Sequence, residues 1–260
     1  MAKEINFKSL RKFNLIMGVL HFLQATAMLM FALFIDKIAE FKLPVFSNFL
    51  TFDATKMTLV TDNQQMFLVP FGICVSSFLF LSAIFHFIIA APKANDVYNR
   101  SLEKGMNPFR WYEYALSSSV MIVLIALLFG VYDIGLLIAI FALNATMNLF
   151  GLLMEKINQY TPKTSWSSFW FGSFAGLVTW IIIFMFAFGN SNLDQVPWFV
   201  YAIFGSYFVF FNLFPINMIL QYKKVGKWAD YIYGERGYII LSMCAKTVLA
   251  WLVFSGVMQP

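Results

Sequence analysis

The sequence predicts an all-α membrane protein, a bundle of seven transmembrane helices with a small β-stranded loop outside the membrane between helices one and two. Three observations carry that prediction. Seven apolar runs are each long enough to supply the about 20 helical residues that cross roughly 30 Å of hydrocarbon. Only 12% of the residues are charged, against about 25% in a soluble domain, and 60% are hydrophobic. The basic residues flank the apolar runs instead of gathering into a patch, which reads as a topology signal and not as a nucleic-acid surface.

The first run, 13–35, exceeds a signal-peptide core and has no small-residue cleavage site after it, so it reads as a span. Residues 36–65 follow. This segment is long for a connection, and the Thr, Val and Leu of TFDATKMTLVTD (51–62) suggest short strands outside the membrane. The remaining spans are 66–91, 109–130, 134–154, 166–188, 197–221 and 237–257. Backbone groups cannot go unpaired in lipid, so each run is a helix or part of a closed barrel. Continuous apolarity without two-residue alternation excludes the barrel. Helix-end chemistry punctuates the runs at Asn107-Pro108, Tyr132-Asp133, Thr161-Pro162, Gly189-Asn190-Ser191 and Gly234. No internal repeat is visible, and residues 1–260 read as one seven-helix domain with 36–65 as an insertion.

Charge asymmetry orients the bundle. Fourteen of the 18 Lys and Arg fall on the N-terminal side, at the N-terminus and in the loops after spans two, four and six. Only Lys37, Lys42 and Lys56 fall on the opposite side. A bias of this size predicts a cytoplasmic N-terminus and, after seven crossings, an extracellular C-terminus in the cell membrane. Cys74 and Cys244 both lie inside apolar runs and predict neither a disulfide framework nor a metal site.

The eighteenth basic residue is Lys246, deep inside YIILSMCAKTVLAW (238–251). An ammonium near the centre of a bilayer is costly, so it persists where it has a partner, a cavity or a covalent role. A lysine in the final helix of such a bundle raises the option of a Schiff-base amine holding a chromophore. The one acid inside a predicted span is Glu113, in FRWYEYALSS (109–118). At 1.5 Å per residue, Glu113 lies roughly 6 Å from the cytoplasmic end and Lys246 roughly 14 Å. A lysine stem reaches about 6 Å toward an interface. The two side chains therefore meet if their helices face each other; otherwise Glu113 is an interfacial residue bonded to Arg110 or water.

Other polar residues lie at similar depth: His21 in span one, His86 in span two, Ser117 one turn beyond Glu113, and Ser242 one turn before Lys246. Asn144 and Asn212 lie within spans four and six. A lone His or Asn in a membrane helix usually serves as an interhelical hydrogen-bond partner. This set, in one half of one bundle, predicts a water-holding polar cavity on the cytoplasmic side. Trp180, Phe211 and Trp251 lie deep in spans five to seven. Packing is the usual role of such rings, yet a flat polyene would need similar walls, and Pro215 would kink span six beside Phe211.

From about Phe13 to Gly256, the chain resembles heliorhodopsins. The most specific stretches are FRWYEYALSSSVMIVLIA (109–126), KWADYIYGERGY (227–238) and the Lys246 segment. The resemblance implies all-trans retinal on Lys246 as a protonated Schiff base, with Glu113 as counterion. It implies Ser242 near the Schiff base, with Ser117, His21 and His86 in the polar network beside it. The retinal pocket is expected to draw on Ser118, Met121, Asn144, Trp180, Phe211, Met218 and Trp251. The best-known member of that family has a glutamine in the region of Asn217 and Met218; if Met218 replaces it, ring-end polarity and absorption colour are expected to differ here. The resemblance also implies a homodimer to which the loop 36–65 contributes, a slow photocycle, and light sensing through a cytoplasmic signalling partner.

The residues agree with sensing over pumping. A pump needs a proton acceptor and a proton donor on opposite sides with switching access, and Glu113 is the one intramembrane carboxylate the sequence offers. A light-gated proton channel or weak transporter on the same scaffold is the alternative. A seven-helix enzyme without a chromophore has no metal-ligand spacing, nucleophile elbow or phosphate loop to support it.

Overall fold

The computed structural model of the protein describes residues 7–189 and 198–258. Of the expected features, Asn190, Ser191 and the first residue of span six lie outside them. The helices are α1 (Phe7–Phe34), α2 (Asp36–Ala39), α3 (Phe71–Ala90), α4 (Pro92–Glu103), α5 (Pro108–Leu128), α6 (Ile134–Ile157), α7 (Ser167–Phe188), α8 (Trp198–Tyr222) and α9 (Tyr231–Val257). Seven of them, all but α2 and α4, are long and apolar enough to cross a membrane. They pack α1 on α3, α3 on α5, α5 on α6, α6 on α7, α8 on α9, and α9 back on α1, while α7 and α8 meet through the Trp180 and Phe208 rings. The central post is α5, with 67% of its apolar window buried, against 11% for α8. A functional side chain on α5 is therefore enclosed by its neighbours.

Local chemistry sets the helix starts. Asn107 caps α5 by accepting from the Arg110 amide at 3.1 Å, and Pro108 follows at a position where its missing N–H costs nothing. Asp133 caps α6 through the Leu136 amide at 2.9 Å, and Asp230 caps α9 through the Ile232 amide at 2.9 Å. Because Asp230 supplies that cap, α9 starts at Tyr231 and runs through Gly234, where the sequence predicts a break. Gly234 serves close approach instead. A Cβ there would stand 2.8 Å from the Gln221 side chain of α8. Pro215 lies inside α8, where it removes the N–H that would bond the Phe211 carbonyl.

Between α1 and α3, the short strands expected within 36–65 are one long antiparallel hairpin, β1 (Lys42–Asp53) with β2 (Thr58–Pro70). It takes residues 66–70 from the predicted second span, where Phe67, Leu68, Val69 and Pro70 pair with Val45, Pro44, Leu43 and Lys42 of β1. The register shifts between Val45 and Phe46, where β2 carries one extra residue, Met66. There the Phe46 amide donates to the Tyr132 carbonyl at 2.8 Å, and Asn48 donates to Asp133 at 2.9 Å. Asp133 thus caps α6 and anchors the hairpin.

At the opposite, basic end lies α4, an amphipathic helix that the span count did not anticipate. Its buried side carries Asn95, Tyr98 and Leu102.

Candidate functional site

Lys246 on α9 and Glu113 on α5 are both buried, at 3% and 6% exposure. Lys246 Nζ donates to Glu113 Oε1 at 2.6 Å, so the helices do face each other. Arg110 does not bond Glu113; its partners are elsewhere. Two serines complete the charge pair. Lys246 Nζ reaches Ser82 Oγ on α3 at 2.6 Å and Ser242 Oγ on its own helix at 3.0 Å. Ser82 in turn donates to Glu113 Oε1 at 2.6 Å. The ammonium also lies 5.4 Å from the centre of the Tyr114 ring. Tyr114 ties α5 to α9 by donating to the Tyr238 carbonyl at 3.0 Å. Ser117 is fully buried one turn along from Glu113.

The sequence reading did not include Ser82. Its signal was the spacing to His86 on the same face of α3, one turn away. His86 Nδ1 shares a hydrogen bond with Asn14 Oδ1 at 2.9 Å, and the His21 ring stacks on His86 with centroids 5.6 Å apart. Both histidines are buried, and neither His21 nitrogen has a protein partner.

Two cavities meet the charge pair. The larger, about 450 Å³, reaches from Lys246, Ser242 and Ala245 to the rings of α7 and α8. Ser118, Met121, Trp180, Phe211 and Met218 are among its lining residues. Trp180 is its best-packed ring, 5.3 Å from Phe211 and 5.0 Å from Phe208. Asn144 stands behind the wall, donating to Ser118 Oγ at 2.8 Å and Ser119 Oγ at 3.0 Å, while Asn148 also donates to Ser118 at 3.1 Å.

Trp251 departs from the expectation. It is 45% exposed, packs edge-on against Phe31 of α1, and does not line the cavity. On α9 it follows Lys246 by five residues, about 140° farther round the helix, so Lys246 and Trp251 cannot share a face.

The smaller cavity, about 30 Å³, lies toward the basic end between Glu113, Ser242, His86, Asn14, Arg110 and Glu235. Here the structure corrects a second expectation. Glu155 and Glu235 are both 1% exposed, so Glu113 is not the only buried carboxylate. Arg110 pairs with both: Nη1 with Glu235 and Nη2 with Glu155. Its guanidinium lies over the Tyr238 ring at 4.0 Å and the Trp111 ring at 4.8 Å. Glu155 also accepts from the Asn107 amide at 2.8 Å and from Trp111 Nε1 at 2.7 Å. Glu235 also accepts from Asn107 Nδ2 at 2.7 Å and from the Tyr98 hydroxyl at 3.1 Å. Burial, with the Glu235 charge beside it, pushes the Tyr98 hydroxyl well above its ordinary value, which keeps it a donor. The sequence hid this cluster because all three charges sit within two turns of predicted helix ends, where charge is ordinarily solvated.

The large cavity suits an apolar, rod-like ligand with one reactive carbonyl end. Its volume lies within the about 300–1,000 Å³ of small-molecule sites, its walls are aromatic, and the primary amine stands at the wall beside a carboxylate. Retinal has that chemistry, and these residues fit it.

No curated protein matches the chain. The family model described as Heliorhodopsin matches residues 10–258, nearly the whole length. With seven apolar helices and a buried lysine at a fitting cavity, the chain belongs to the heliorhodopsin family of retinal-binding, light-sensing rhodopsins.

Proposed function

We propose that the protein is a light-sensing photoreceptor whose all-trans retinal is bound covalently to Lys246 as a protonated Schiff base. The observation that carries this reading is the 2.6 Å contact between Lys246 Nζ and Glu113 Oε1 at the wall of an aromatic cavity. Retinal supplies the absorption of visible light and a change of shape on isomerisation. The residues do the rest. Glu113 neutralises the charge on Nζ, Ser82 holds the carboxylate in place, and Ser242 offers a second acceptor. Trp180, Phe211 and Met218 confine the polyene and exclude water, with Ser118 and Met121 on the α5 wall and Asn144 behind it.

The polar groups toward the basic end support sensing. His21, His86, Asn14 and Ser117 give a proton somewhere to go within the bundle. The charge distribution supports an N-terminus in the cytoplasm, a C-terminus outside and a place in the cell membrane, so the polar half faces the cytoplasm and a signalling partner there. The long β1–β2 hairpin, with exposed Phe49, Leu50 and Phe52, supports a homodimer formed on the outer side.

The channel or weak-transporter reading gains one observation of its own, the buried Glu155 and Glu235. Photocurrents under voltage clamp separate the two. A sensor gives no sustained current at any potential; a current that follows the proton gradient would replace the sensing reading.

A further inference from the structure

The Arg110 cluster is unbalanced. One guanidinium faces two carboxylates, and all three groups are at most 5% exposed. Arg236, the next residue after Glu235, does not make up the difference: it is exposed and bonds Ser9 at 3.4 Å. The other groups against the pair, Tyr98, Asn107, Trp111 and Tyr231, are neutral donors. With both carboxylates ionised, the cluster therefore carries one surplus negative charge out of contact with water, and burying an uncompensated charge is expensive.

The two acids are not equivalent. Glu235, Arg110 and Asn107 line the small cavity that also touches Glu113, Ser242 and His86; Glu155 does not. At about 30 Å³, that cavity has room for about two waters, at roughly 10–15 Å³ each. Arg110, whose buried Nε has no protein partner, is one of the residues lining it. A hydrogen-bonded chain runs alongside: His86 to Asn14 at 2.9 Å, Asn14 to the Tyr98 hydroxyl at 3.5 Å, and Tyr98 to Glu235 at 3.1 Å. Along α9, Glu235 lies two turns, roughly 10 Å, from Ser242.

We propose that Glu235 is the internal proton store of this protein. It takes up the proton that leaves Lys246 Nζ after light, through water in the small cavity. This rests on the photoreceptor reading above. The step balances without any redox partner. The N–H bond at Nζ breaks and its electron pair stays on nitrogen. A proton passes along the cavity waters, and an O–H bond forms on Glu235. The Lys246–Glu113 centre goes from neutral to one negative charge, and the Arg110 cluster goes from one negative charge to neutral. Arg110 keeps Glu155 as its ion-pair partner throughout. Protonated Glu235 holds Arg110 less tightly, and Tyr98 connects that change to α4 on the surface of the basic end. The proton is thus retained within the bundle, as a sensor requires.

Light-minus-dark infrared difference spectra of the retinal-loaded protein test this, with Glu235→Gln and Glu155→Gln variants. The wild type gains a carboxylic-acid carbonyl band as Nζ deprotonates; Glu235→Gln lacks it, and Glu155→Gln, whose cluster holds no surplus charge, gains it more weakly. Persistence of that band in Glu235→Gln overturns the proposal while leaving the photoreceptor reading intact. A wild type that forms no pigment sinks both. The retinal-free protein gives an independent readout. Glu235→Gln removes the surplus charge and leaves the Arg110–Glu155 pair whole, so it melts no lower than wild type, whereas Arg110→Gln melts far lower. A Glu235→Gln protein that unfolds as readily as Arg110→Gln shows that the second carboxylate is needed for folding, which overturns the surplus-charge argument.

Discussion

Ser82 Oγ stands 2.6 Å from Lys246 Nζ and donates to Glu113 at the same distance, so a hydroxyl on α3 closes a triangle with the charges on α9 and α5. Three helices distant in sequence are held to one point by three short hydrogen bonds, each to a buried charged group, the kind that contributes most.

Ser82→Ala removes one partner from each charge and leaves no water-filled surface to replace it. The expected loss is about 1–3 kcal/mol of stability, the cost of leaving buried polar groups unsatisfied. The pigment still forms, because Glu113 remains. Its absorption moves to shorter wavelength, since a carboxylate that has lost its donor concentrates more negative charge toward Nζ. Thermal melting and the absorption spectrum check the two parts separately.

Arg110→Gln leaves Glu155 and Glu235 buried together without a cation. Removing one partner of a buried ion pair costs about 3–5 kcal/mol. The variant should therefore express poorly or melt well below wild type in detergent, and a melting temperature equal to wild type would contradict the buried cluster.

Gly151→Ala tests the packing that supports this cluster. A Cβ at Gly151 would lie 2.3 Å from the Trp111 ring, and that ring donates to Glu155 at 2.7 Å. The ring has to move, at a cost of about 1–3 kcal/mol for overpacking. Thermal melting shows the loss, and a change in tryptophan fluorescence reports the displaced ring.

Trp180→Ala and Trp251→Ala form a contrasting pair. Trp180 is 5% exposed within a cluster of rings, and its truncation costs about 3–5 kcal/mol and shifts the pigment. Trp251 is 45% exposed, and its truncation changes stability by about 0.5 kcal/mol or less and leaves the spectrum in place. Equal effects from the two would place Trp251 back at the chromophore.

Much of this was legible in the chain. Run length gives seven spans, and helix-period arithmetic brings Glu113 to Lys246. Aromatic depth picks out Trp180 and Phe211. What stayed hidden has physical reasons. The hairpin takes residues 66–70 because apolarity alone does not distinguish a strand outside the bilayer from the start of a span. Trp251 is deep along the helix axis but faces outward, and depth in a run says nothing about direction around the helix. Arg110, Glu155 and Glu235 sit where solvated charges belong, and only the tertiary contacts of α4, α5, α6 and α9 enclose them. Ser82 carries no charge, and its one mark in the apolar run is its spacing from His86.

The absorption spectrum after adding all-trans retinal tests the central claim most directly, measured on wild type, Lys246→Ala and Glu113→Gln together. The account predicts a visible band in wild type, no such band in Lys246→Ala, and a band at longer wavelength in Glu113→Gln, because removing the anion beside Nζ frees the positive charge to spread. A colourless wild type, or a Lys246→Ala protein that keeps the band, would contradict it.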